Sequence, residues 1–172
     1  MKKLVLLFLV LSSGIATAQA YREYDQNQEL KFNIGLFLAS TTVEGSYEYY
    51  LSEDTSVGGT IYFDNDALDY NGNFGIGPNF RAYFGYAPRS GFFAEVFGLY
   101  YTGEVDPQMN TTRSIENKYS TTAIGLGIGH KFVTYSQKFI LEVHAGFGRN
   151  VNPQEYQDTF MYRAGLSIGF RF

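Results

Sequence analysis

From Glu29 to Phe172 apolar and polar residues alternate in steps of two. "ELKFNIGLFL" aligns Leu30, Phe32, Ile34, Leu36 and Leu38 on one face, and "VEGSYEYYL" does the same with Val43, Tyr47, Tyr49 and Leu51. "SVGGTIYF" aligns Val57, Ile61 and Phe63, while "NFGIGPNFRAYF" gathers Phe74, Ile76, Pro78, Phe80, Ala82 and Phe84. In "GFFAEVFGLYY" Phe92, Ala94, Val96 and Tyr100 lie opposite Glu95. "TAIGLGIGHKF" sets Ile124, Leu126, Ile128 and Phe132 against Gly125, Gly127, Gly129 and Lys131. "FILEVHAGFG" sets Phe139, Leu141, Val143, Ala145 and Phe147 against Glu142 and His144. The last segment, "RAGLSIGFRF", alternates Ala164, Leu166, Ile168, Phe170 and Phe172 with Arg163, Gly165, Ser167, Gly169 and Arg171. No helical stripe competes, so the pattern predicts eight strands of about ten residues in a meander.

The connections predict short turns at 52–55, 85–90 and 133–138, and longer loops at 64–73, 103–118 and 149–159. Ala39–Thr42 is short where a long loop is due. Two residues strain the pattern. Pro78 removes a ladder hydrogen bond in mid-strand, which predicts a bulge. His130 falls on the apolar face, which predicts a register slip near the end of its strand.

Alternation leaves two orientations: a soluble barrel with an apolar cavity, or a membrane barrel with its apolar face in lipid. Volume separates them. An eight-stranded lumen has room for little more than its own side chains, and these Phe, Tyr and Leu sets would overfill it. Aromatics also gather at strand ends: Phe32, Tyr49, Phe84, Phe92, Phe132, Phe139 and Phe172 at one rim, Phe63, Phe74, Tyr100, Phe147 and Phe160 at the other. Two such rims match the interfacial girdles of a membrane barrel. The expected fold class is therefore all-β, an eight-stranded antiparallel up-and-down transmembrane β-barrel in the outer membrane, with both termini on the periplasmic side.

The first residues agree. Met1-Lys2-Lys3 is a basic start, Leu4 to Leu11 an apolar core, and Ala16-Thr17-Ala18 a cleavage signature, with cleavage before Gln19 or a shifted site at Ala18-Gln19-Ala20. The expected organisation is a signal peptide at 1–18, a short segment at 19–28 and the barrel at 29–172. Cysteine is absent, which removes disulfides and thiolate metal sites. Without Lys2 and Lys3, 11 basic residues face 17 acidic ones, no footprint for nucleic acid. The 15 Tyr, 16 Phe and 19 Gly suit closely packed strands.

The chain resembles the small eight-stranded outer-membrane barrels of the OmpA/OmpX type. It is most similar to an uncharacterised barrel family, a domain of unknown function of Gram-negative bacteria. The resemblance is carried by Gly91-Phe92-Phe93-Ala94-Glu95, Gly127-Ile128-Gly129-His130-Lys131-Phe132 and Gly146-Phe147-Gly148-Arg149-Asn150. It implies fold and location but no activity or cofactor. It also implies that Phe172 and Phe170 form the C-terminal signal read by the barrel-assembly machinery. Unlike OmpA, the chain is expected to stop at strand eight without a peptidoglycan-binding domain.

With the apolar face outward, Lys31, Glu48, Arg81, Glu95, Lys131, Glu142 and Arg171 point inward, near one end of the strands. Such residues could serve an ion pathway or act as catalytic carboxylates. Charges inside so narrow a barrel persist when paired, so the expectation is a structural network that plugs the lumen, with Glu95 and Glu142 paired to Arg81, Lys131 and Arg171. Catalysis needs a base near a nucleophile, and neither His130 nor His144 has a Ser and an acid at an interpretable spacing. No metal or cofactor is expected. Asp64, Asp66 and Asp69 miss the calcium-loop pattern and read as a solvated acidic loop. "GLGIGH" is strand glycine, since no helix follows it. The functional expectation is a non-catalytic barrel embedded in outer-membrane lipid, meeting an extracellular partner through loops 64–73, 103–118 and 149–159. A narrow solute channel and a lipid-modifying enzyme are the alternatives.

Overall fold

A computed structural model describes residues 26–65, 72–104, 118–151, 153 and 158–172. The expected signal peptide, Asp66, Asp69 and most of loop 103–118 lie outside the described residues. Within them the chain forms a closed, wholly antiparallel barrel in sequence order. Its strands are β1 (Gln28–Asn33), β2 (Val43–Tyr50), β3 (Thr55–Phe63), β4 (Phe74–Tyr83), β5 (Gly91–Glu104), β6 (Lys118–Val133), β7 (Phe139–Asn150) and β8 (Phe160–Arg171). β8 returns to β1, joining Glu29 to Arg171 and Asn33 to Ser167, so the sheet has no free edge there. The end where β1 starts and β8 finishes is here the lower end.

The apolar sets face out. Ile128 is 71% exposed and Phe92 67%, whereas Lys131 and Glu142 on the opposite parity are each 1% exposed. This is the reverse of a soluble sandwich.

Three local expectations need correction. The first strand does not run to Leu38. β1 stops at Asn33 and the chain continues as a short helix, α1 (Ile34–Ser40). Asn33 caps it by accepting the Leu36 N–H at 3.1 Å, and Thr41, at φ 59°, ends it. α1 occupies the upper wall between β8 and β2, where β1 no longer pairs with either. Gly35 allows this close approach: a Cβ there would stand 3.0 Å from the Leu166 amide nitrogen. Phe37 and Leu38 face outward, and Phe37 packs on Phe32 at 5.8 Å. The alternation does break at Asn33, since Ile34 to Ala39 contains no polar residue.

Pro78 makes no bulge. Ile76 opposes Tyr100 and Asn79 opposes Phe97, so the ladder is interrupted without an inserted residue. His130 causes no slip either. It stays in register opposite Phe92 and Val143, with its ring between Phe92 (4.5 Å) and Phe132 (4.3 Å) in the outward aromatic rim.

The interior depends on a large-to-small match between β5 and β6. Phe93, Glu95 and Phe97 point inward directly opposite Gly129, Gly127 and Gly125. Any Cβ at Gly125 or Gly129 would collide with the facing phenyl ring. The glycines on β6 are the space into which β5 packs.

Candidate functional site: a luminal charge network

Period-two parity carries all seven predicted charges into the lumen, each buried. Arg81 and Glu95 are direct cross-strand neighbours, joined at 2.6 Å from Nε to Oε2. Arg81 Nη1 also reaches Glu48 Oε2 at 3.0 Å and Glu142 Oε2 at 2.9 Å. Lys31 Nζ donates to Glu48 at 2.6 Å and Glu142 at 2.8 Å. Opposite charges thus meet both across the hydrogen-bonded strands and through the barrel axis.

Glu29, absent from the sequence-derived set, explains the lower end. It is completely buried and sits opposite Glu48, a like-charge neighbour. The Lys131 ammonium resolves that repulsion by lying between them, 2.7 Å from Glu29 and 2.9 Å from Glu48. The hydroxyls of Tyr50 and Tyr83 stand 2.8 and 2.6 Å from the same ammonium. Each donates onward, Tyr50 to Glu29 and Tyr83 to Glu48.

The expected pairing of Glu142 or Glu95 with Arg171 is not the one present. Arg171 Nη2 binds Glu29 at 2.6 Å and the Arg89 carbonyl at 2.8 Å, because β1, not β7, places an acid level with it. Lys131 is 3.6 Å from its cross-strand neighbour Glu142, farther than from Glu29 across the lumen. Four acids (Glu29, Glu48, Glu95, Glu142) therefore face four bases (Lys31, Arg81, Lys131, Arg171), and the core of the network balances.

Two further charges were missed. Glu44 accepts from Asn33 Nδ2 at 2.9 Å, and Arg163 approaches Glu44 at 3.8 Å and Glu95 at 3.7 Å. Both share the inward parity of Glu48 and Arg171, and that parity was the signal for them. His144 is luminal, with Nδ1 3.8 Å from Glu142 Oε1 and no hydrogen bond to either ring nitrogen among the described residues. Above this layer Tyr62, Phe97, Leu99, Tyr101, Ala123 and Met161 form an apolar cluster against Tyr119. Asp64, from the acidic loop, accepts from the Thr42 hydroxyl.

Eight antiparallel strands wound once around a charged interior, with apolar residues outside, define the class of small up-and-down β-barrels. The N-terminal β-barrel domain of Pseudomonas aeruginosa OprF, known from its crystal structure, has this fold too. It aligns at TM-score 0.55 and 18% identity, over 86% of the present chain and 98% of that domain. The chain belongs to the family described as Protein of unknown function (DUF3575), whose model matches residues 4–165. No curated protein matches it in sequence.

Proposed function

We propose that this protein is a non-catalytic bacterial outer-membrane barrel whose lumen is plugged and whose extracellular loops carry its interactions. The observation supporting a plug is the balanced network around Lys131, which links β1, β2 and β6 directly across the lumen. An open path would leave those groups hydrated, whereas Lys131, Glu48 and Glu142 are each 1% exposed. The apolar cluster of Tyr62, Phe97 and Leu99 forms a second barrier above it.

The outward apolar face and the OprF-like fold support the outer membrane as its location. Short turns then face the periplasm, and α1 with loops 64–73, 103–118 and 149–159 faces outward. Phe170 and Phe172 stack at 6.5 Å on the exterior of β8, accessible to assembly machinery that reads the last strand.

Single-channel recording of the refolded protein in planar bilayers tests the plug. The expected trace has no steady open level. Steady conductance, with ion selectivity altered by Glu95→Gln and stability unaltered, would put the channel reading first.

A further inference from the structure

Arg149 is a cation on the wrong side of this barrel. It is exposed on the outer face of β7, two residues above Phe147, and lies in register between Ile124 on β6 and Phe160 on β8. Those neighbours are apolar and outward, 60% and 51% exposed. No acid among the described residues pairs with Arg149. The other outward strand cation of the upper half, Lys118, is held by Glu104 at 3.9 Å near the loop tips.

Directly beneath Arg149 the surface is hollow. Leu126, Phe147 and Tyr162 form the next rank, followed by Ile128, Ala145 and Ala164. Where Ala145 is small beside its neighbours, a groove of about 510 Å³ opens between Leu126, Ile128, Ala145, Phe147 and Tyr162. A second cleft, about 390 Å³ and more polar, contains Arg149 itself with Ile124, Val151, Pro153 and Thr159. At about 3.3 Å per residue along a strand, Arg149 lies on β7 roughly 13 Å above Ala145, with the groove between them.

We propose that this face binds a phosphorylated, acylated glycolipid of the outer leaflet, of the lipid A class. The phosphate sits on Arg149 and one acyl chain fills the groove beside Ala145. The guanidinium fork matches a phosphate's geometry, and a cation among lipid-facing residues needs a counter-charge from the membrane itself. The order of the two clefts, polar above and apolar below, is the order of a lipid head and its chain. The site rests on the membrane orientation proposed above.

Native mass spectrometry of the refolded barrel in a neutral detergent tests it, with bisphosphorylated lipid A, phosphatidylglycerol and inorganic phosphate added in separate arms. The wild type is expected to carry a lipid A adduct. Arg149→Gln lowers its fraction roughly fivefold, Ala145→Leu lowers it by filling the groove, and Arg149→Lys keeps most of it. Heat-modifiable gel mobility checks that each variant is folded. Equal binding by Arg149→Gln and wild type overturns the site, as does phosphatidylglycerol or free phosphate binding as well as lipid A. A protein dimer abolished by Ala145→Leu, with no lipid adduct, also overturns it. If lipid binding fails while the protein still fractionates with the outer membrane, only the site is lost; recovery in another fraction removes the orientation beneath it.

Discussion

Lys131 and Arg81 each join three buried acids, and Lys131 does so between two like charges. Its ammonium is shared by Glu29 and Glu48, within 3.6 Å of Glu142, and touches two tyrosine hydroxyls. Lys131→Met removes the cation between Glu29 and Glu48. Glu29 keeps Arg171 and Glu48 keeps Lys31 and Arg81, but the two facing carboxylates then repel with nothing between them and the network gains a net negative charge. Breaking a buried pair from one side costs about 3–5 kcal/mol. Urea unfolding in lipid vesicles, followed by gel mobility, should register a loss of that size. Glu95→Gln should cost less, since an amide oxygen can still accept from Arg81. Equal stability of Lys131→Met and wild type would mean that water reaches the network. The seven luminal charges were legible because parity on a strand is a local property. Their partners were legible only in part: Arg81 meets Glu95 and Glu142 as expected, whereas Lys131 meets Glu29 and Glu48 across separations of 102 and 83 residues.

At the scale of elements, β5 and β6 depend on one another through size. Gly125→Val drives a side chain into the Phe97 ring. The folded fraction should fall, and Phe97→Ala in the same chain should restore only the part due to the ring, because the Phe147 carbonyl oxygen, 2.5 Å from the new Cβ, stays in place. Failure of the second change to help would show that strand backbone, not ring space, sets the limit. For α1, Gly35→Val should lift the helix from β8 while the barrel stays closed below. Hydrogen exchange would then quicken at the amides of Ala164–Leu166, the part of β8 that lacks β1 as a partner. The break after Asn33 was legible as a loss of alternation. That a helix fills it was not, because a seven-residue helix has little stability of its own and takes its place from packing on β8.

For the whole molecule, the last strand closes the barrel. Arg171 N–H donates to the Lys138 carbonyl at 2.7 Å, and Phe172 and Gln28 exchange backbone hydrogen bonds at 2.9 and 3.1 Å. Deleting Phe172 should leave the refolded barrel heat-modifiable in vitro while reducing the folded protein recovered in the outer membrane of cells. Normal recovery there would overturn the assembly role proposed for Phe172. The sequence by itself determined the number of strands and their order, because a period of two is set residue by residue, and which face turns outward, because the apolar sets are too large for an eight-stranded lumen. Tertiary structure alone decided that Arg171 answers Glu29, that Lys131 lies between two like charges, and that a helix completes the wall. Those outcomes depend on how a sheet closes on itself, which brings together residues that no local pattern connects.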